Sequence, residues 1–177
     1  KVINLKYEID WKSIHLADLL WKIKIEDNFY EIDFTIKSYG MTDKIYEYES
    51  VTKVSGEVKD DSFNPIIYKS KTKSSKQDRY ENIIFDENGT ISNIEISKEL
   101  SSDQINLQNT LIKDYQFFTD PISQLVQYFI FQTDSKRLII DGINIYELSS
   151  NKKNTEYLKS NNPSIHKGNA EVIDLSL

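Results

Sequence analysis

Histidine and carboxylate are the residues with which a chain lacking cysteine would do acid–base or metal chemistry. This sequence holds two histidines, His15 and His166, and no cysteine at all. The histidines stand far apart in the chain, outside any zinc-ligand spacing, and His15 sits between Ile14 and Leu16 as a surface or edge-strand residue would. Carboxylates are plentiful, among them Glu8, Asp10, Asp18, Glu31, Asp33, Glu47, Glu49, Asp86 and Glu87. Acid catalysis needs two of them converging in a cleft with their pKa values pushed apart. On strands that alternate polar with apolar they belong instead to a charged outer face. With 5 glycines the chain shows no phosphate-binding loop, dinucleotide fingerprint or nucleophile elbow. The sequence therefore nominates no catalytic residue, no metal ligand and no cofactor.

Two other groups of residues invite a binding role. Lys69, Lys71 and Lys73 recur at period two in YKSKTKSSKQDRY, which places them on one face of a strand. They could touch anionic headgroups, or simply protect a hairpin against edge-to-edge association. Aromatic residues make up 12% of the chain. Trp21, Tyr30, Phe34, Tyr46, Tyr48, Phe118, Ile122 and Phe129 are the candidate lining of an apolar concavity between a sheet and a helix, with closed core packing as the competing reading.

The elements that would position these groups are mainly strands. Ile3, Leu5, Tyr7, Ile9 and Trp11 alternate with polar residues, as do Leu19, Trp21, Ile23 and Ile25. A two-residue turn at Asp27-Asn28 pairs Ile25 with Tyr30, Ile23 with Ile32, Trp21 with Phe34 and Leu19 with Ile36. Lys24 then meets Glu31, and Lys22 meets Asp33, on the other face. Further strands are expected over 45–58, 66–72, 79–85 and 90–97, the last two joined through Asp86-Glu87-Asn88-Gly89. Residues 97–118 read as a crossing connection. One helix is expected at about 120–133, capped by Asp120 and started by Pro121, with Ile122, Leu125, Val126, Phe129 and Ile130 as its core-facing side. Leu138 should then face Ile145, and Ile140 face Ile143, across Asp141-Gly142. Residues 151–167 read as a loop and 169–177 as a final strand.

The fold class expected is a mainly β single domain over 1–177, a strongly curved antiparallel meander, half-barrel or open barrel, with the helix packed on its concave side. At this length the core can be substantial, burying roughly 70% of the unfolded surface. No apolar run approaches the roughly 18 residues of a membrane span, and a formal net charge of -6 argues against general affinity for nucleic acid. The chain opens on Lys1, which either removal of a signal peptide or trimming of the N-terminus would produce, and its end reads as a strand cut in mid-course.

Several motifs, taken in order, resemble a family of exported bacterial proteins known only as a domain of unknown function. They are Tyr7-Glu8-Ile9-Asp10-Trp11, a following strand carrying Ala17 and Asp18, PIIYKSKTK, and IIFDENG. Asp120-Pro121-Ile122-Ser123 is similar to the family's Asp-Pro-Leu-Ser helix start. Ile140-Asp141-Gly142 with Tyr146 is similar to its Phe-Asp-Gly hairpin, and His166-Lys167-Gly168-Asn169-Ala170 to its Tyr-x-Gly-x-Ala strand start. The family often carries two cysteines, which would fall near Thr133 and Ile173. The resemblance implies a periplasmic, signal-peptide-bearing protein, similar in outline to the lipoprotein carriers of the bacterial envelope. On that basis the expected function is non-enzymatic binding of a lipid or other apolar small molecule between sheet and helix. The other expectation is an envelope protein partner engaged through the outer face.

Overall fold

The computed structural model describes residues 1–131, 137–149 and 174–176. Seven strands, β1 (Val2–Trp11), β2 (Ile14–Glu26), β3 (Phe29–Ser38), β4 (Tyr48–Lys59), β5 (Ser62–Ser74), β6 (Arg79–Phe85) and β7 (Ile91–Ile96), follow one another in space as in sequence, every neighbour antiparallel. The meander remains open and does not close into a barrel. Three of its hairpins turn in two residues. Lys12 and Ser13, Asp27, and Asp60 and Asp61 all take positive φ there, the backbone sign that lets a tight turn follow the right-handed twist of its strands.

The β2–β3 register is the expected one, with Ile25 opposite Tyr30, Ile23 opposite Ile32, Trp21 opposite Phe34 and Leu19 opposite Ile36. Continued across the sheet, this register gives each strand an inner set and an outer set. The outer face is a mixed-charge surface: Lys53 reaches Asp33 at 3.2 Å, Lys37 reaches Glu49 at 3.6 Å, and Lys73 reaches Glu47 at 2.7 Å.

Three helices accompany the sheet. α1 (Gly40–Ile45) takes only the first residue of the strand expected over 45–58, which starts at Tyr48. Glycine at position 40, with φ of 62°, lets the chain leave β3 and coil at once. α2 (Ser102–Asp114) replaces the expected irregular crossing. Its signal is a capping box, in which Ser101 Oγ accepts from Gln104 N–H while Gln104 Oε1 accepts from Ser101 N–H. α3 (Pro121–Phe131) is the expected helix.

A second small sheet orders β11 (Asp174–Ser176), β10 (Ile145–Ser149), β9 (Leu138–Ile140) and β8 (Phe118–Thr119). Its β9–β10 hairpin differs from expectation by two residues: Ile140 faces Ile145, and Leu138 faces Glu147. The loop is four residues long because the Asp141 carboxylate accepts the N–H of both Ile143 and Asn144, at 2.8 and 2.7 Å. His166, Thr133, Ile173, the 151–167 loop and the start of the last strand lie outside the described residues. The core gathers Ile23, Tyr30, Ile32, Val54, Phe63, Tyr68, Ile83, Phe118, Val126 and Ile140. Among the described residues no helix is long and apolar enough to cross a membrane.

Candidate functional site

The inner face is divided along the strand direction. At the Asp27 and Asp60 turns, α3 lies on it. Its seating is rotated from the expected one: Ile122 and Val126 are buried as expected, but Ser123, Gln124 and Gln127 are buried with them, whereas Phe129 is 63% exposed. The sheet supplies the reason. Tyr30 crosses to Gly56 on β4, and a Cβ there would meet the Tyr30 ring and hydroxyl at 2.7 Å. The ring therefore lies flat over bare backbone, with its hydroxyl 2.7 Å from Ser123 Oγ. Gln127 Oε1 accepts from Phe63 N–H at 3.0 Å and from Ser62 Oγ at 3.2 Å. Ser123 and Gln127 are buried here because each meets a partner on the sheet, as burial of such groups demands.

Asp120 begins this helix as expected. Its Oδ1 accepts the N–H of Ile122 and of Ser123, both at 2.9 Å. It is fully buried, and its Oδ2 has no hydrogen-bond partner among the described residues. Burial pushes the carboxyl up to about 6, against the lowering effect of its hydrogen bonds. Burial, then the Asp120 charge, raises the hydroxyls of Tyr30 and Tyr68. The group is closed to solvent, so its chemistry is that of a helix cap.

Beyond this filled half, towards the Lys12-Ser13 turn, no described element packs on the β1 side of the inner face, whereas its β4 and β5 side stays buried. On β1 the side chains of Leu5, Tyr7 and Ile9 are exposed, Tyr7 to 54%. Leu19, Ile36 and Tyr48 continue the strip, half-buried. On β4 and β5 the same face turns hydroxylic, with Ser50 and Thr72 3.0 Å apart and Thr52 and Ser70 3.1 Å apart. Buried Glu81, raised by desolvation, adjoins them across Ser70 and pairs with Arg79 at 3.1 Å.

The candidate lining residues consequently do not form one surface. Tyr30, Phe118 and Ile122 belong to the filled core, and Trp21 and Phe34, with rings 4.3 Å apart, stand at its border. Tyr46 is 38% exposed after α1 and stacks on Tyr48 at 6.4 Å. Phe129 is on the far side of α3, outside any site. Two shallow depressions lie elsewhere, one on the outer face around Lys6, Leu20, Lys22 and Thr35, the other under α2 around Ile94 and Gln108. Lys69, Lys71 and Lys73 share the outer face, as their spacing requires. The alternation of β1 signalled Leu5, Tyr7 and Ile9, but their exposure among the described residues is seen only in the folded chain.

Outside the bulge at Ile9/Asp10, His15 Nδ1 lies 2.9 Å from Asp10 and Nε2 lies 3.0 Å from Asp18. The Asp10 hydrogen bond leads in raising its pKa. Glu8, Asp10 and His15 place donor atoms within 4.8 Å of one another. A cation there would have to displace Lys6, whose ammonium is 3.0 Å from Glu8 and 3.4 Å from Asp18.

An open antiparallel meander carrying a helix over half of one face defines a β-sheet module of the half-covered type. The chain belongs to the family described as Protein of unknown function (DUF3108), whose model matches residues 6–119. No curated protein and no solved structure matches it.

Proposed function

We propose that this is a non-enzymatic, exported protein of the bacterial cell envelope that holds the apolar part of a lipid on the β1 side of its inner face. The observation that carries the reading is the strip Leu5, Tyr7, Ile9, Leu19 and Ile36, which continues the core apolar rows past the edge of α3, exposed on β1 and half-buried on β2 and β3. Such a strip suits a chain-like apolar group, and contiguous exposed apolar surface of this kind marks interaction sites. Placement in the envelope rests on the family resemblance. The interface between α3 and the sheet, filled by Tyr30, Phe63 and Ile122, is not where the ligand goes.

The test is native mass spectrometry after incubation with a lysophospholipid. Wild-type protein and Phe129→Ala should retain an adduct that Ile36→Glu, altered on the half-exposed strip, loses. Equal uptake by all three, or uptake by none, overturns the reading.

A second reading, contact with an anionic partner through the outer face, is favoured by one observation. Lys69 and Lys71 form no ion pair among the described residues, whereas Lys73 is held by Glu47. Reversing Lys69 and Lys71 to Glu should abolish such binding while leaving lysolipid uptake unchanged.

A further inference from the structure

The seven-stranded sheet has two edges, and they are treated differently. α2 flanks β7, where Gln108 and Ile112 line a depression with Ile91 and Ile94. β1 is ten residues long, has no proline, and nine of its residues are exposed. Its backbone parity follows from one bond. Ile25 N–H donates to Lys1 O at 2.8 Å, so that pair is of the hydrogen-bonded kind. Opposed residues alternate between bonded and non-bonded pairs in an antiparallel ladder. With Ile3 opposite Ile23, Leu5 opposite Trp21 and Tyr7 opposite Leu19, odd residues are engaged with β2. Val2, Asn4, Lys6 and Glu8 turn their N–H and C=O groups to the open edge.

We propose that this edge is the interface of a homodimer, in which β1 pairs antiparallel with β1 of a second copy about a two-fold axis at Tyr7. The register is selected by charge and face. Centred on Tyr7, Lys6 stands opposite Glu8 of the second copy and Glu8 opposite its Lys6. Leu5 meets Ile9, Asn4 meets Asp10, and the two Tyr7 rings adjoin. Shifting by one pair in one direction opposes Lys6 to Lys6, and in the other Glu8 to Glu8. A shift by a single residue sets the inner apolar side chains against the outer charged ones. Lys6 and Glu8, 3.0 Å apart within one chain, are also residues whose backbone groups face the open edge, so in this register they form the bonded pairs. A symmetric pair uses the same patch twice, as two-fold interfaces do. The inner faces of the copies then join into one surface, with the Leu5, Tyr7 and Ile9 strips side by side. This inference stands independently of the ligand reading above.

Sedimentation equilibrium across a concentration series tests it. Wild-type protein should dimerise. Lys6→Glu and Glu8→Lys, each placing two like-charged pairs across the axis, should each weaken dimerisation by roughly tenfold or more. The double exchange Lys6→Glu with Glu8→Lys recreates complementarity and should restore it, which separates interface loss from misfolding. Circular dichroism confirms that each variant is folded. A monomeric wild-type chain, or single variants that dimerise as tightly as wild type, overturns the proposal. So does a double variant that remains as weak as the singles.

Discussion

Replacing Gly56 with alanine tests the account of how α3 is seated. The added Cβ would lie 2.7 Å from Tyr30 Cε1 and from Tyr30 Oη, and 2.1 Å from the Asn64 carbonyl oxygen. The last is backbone at the β4–β5 bulge, where Gly56 faces Pro65, so neither neighbour gives way cheaply. Moving the Tyr30 ring disturbs its edge contact with Phe63 at 4.7 Å and parts its hydroxyl from Ser123. Overpacking of this kind costs about 1–3 kcal/mol, and a buried Ser123 hydroxyl left without its partner adds about 1–3 kcal/mol. We therefore expect Gly56→Ala to lose about 3–5 kcal/mol in urea unfolding, and its midpoint temperature to fall by on the order of 10 °C. Tyr30→Phe, which removes the hydroxyl alone, should lose only about 1–3 kcal/mol. If Gly56→Ala unfolds within about 1 kcal/mol of wild type, the ring does not lie where the seating of α3 requires it.

Two further outcomes follow from the same half of the molecule. Asp120 is raised from 3.8 to about 6 in the fold, so the folded state binds more protons than the unfolded one between those values, and stability falls as pH rises through that window. Asp120→Asn keeps a good cap and should therefore gain on wild type by up to roughly 3 kcal/mol between pH 4 and pH 7; parallel urea-midpoint profiles for the two proteins would show the carboxyl to be unperturbed. Phe63→Ala, at a fully buried ring, should cost about 3–5 kcal/mol, whereas Phe129→Ala should stay within about 1 kcal/mol, and thermal melts of the pair measure the difference directly.

The strand register was legible because three signals agreed at β2–β3: apolar alternation, a two-residue turn, and opposite charges at Lys24 and Glu31. Where the signals thinned, reading failed in proportion. α2 has few apolar residues and buries chiefly Gln108, which donates to the carbonyls of Gly142 and Ile143 at 3.1 and 2.9 Å. A polar anchor of that kind leaves no periodic trace, although Ser101 and Gln104 did mark the helix start. The orientation of α3 escaped for a related reason. Its Ile122, Leu125, Val126, Phe129 and Ile130 describe a hydrophobic stripe of which Ile122 and Val126 are buried, but the sheet below also offers a phenol and a strand N–H, which turn the helix away from Phe129 and Ile130. The choice between stripes depends on groups about 60 to 90 residues away in sequence. The exposed β1 side of the inner face was hidden because alternation reports a side chain's face and never whether anything packs upon it.

Ser123 and Gln127 stand one helical turn apart, and each is tied to a different strand, β3 and β5. Sliding α3 along its axis by a single residue would move it about 1.5 Å and rotate it by about 100°, taking both side chains off their partners together. There is thus no half-shifted position that keeps one tie. The two ties therefore fix the rotation of the helix and its position along its axis together.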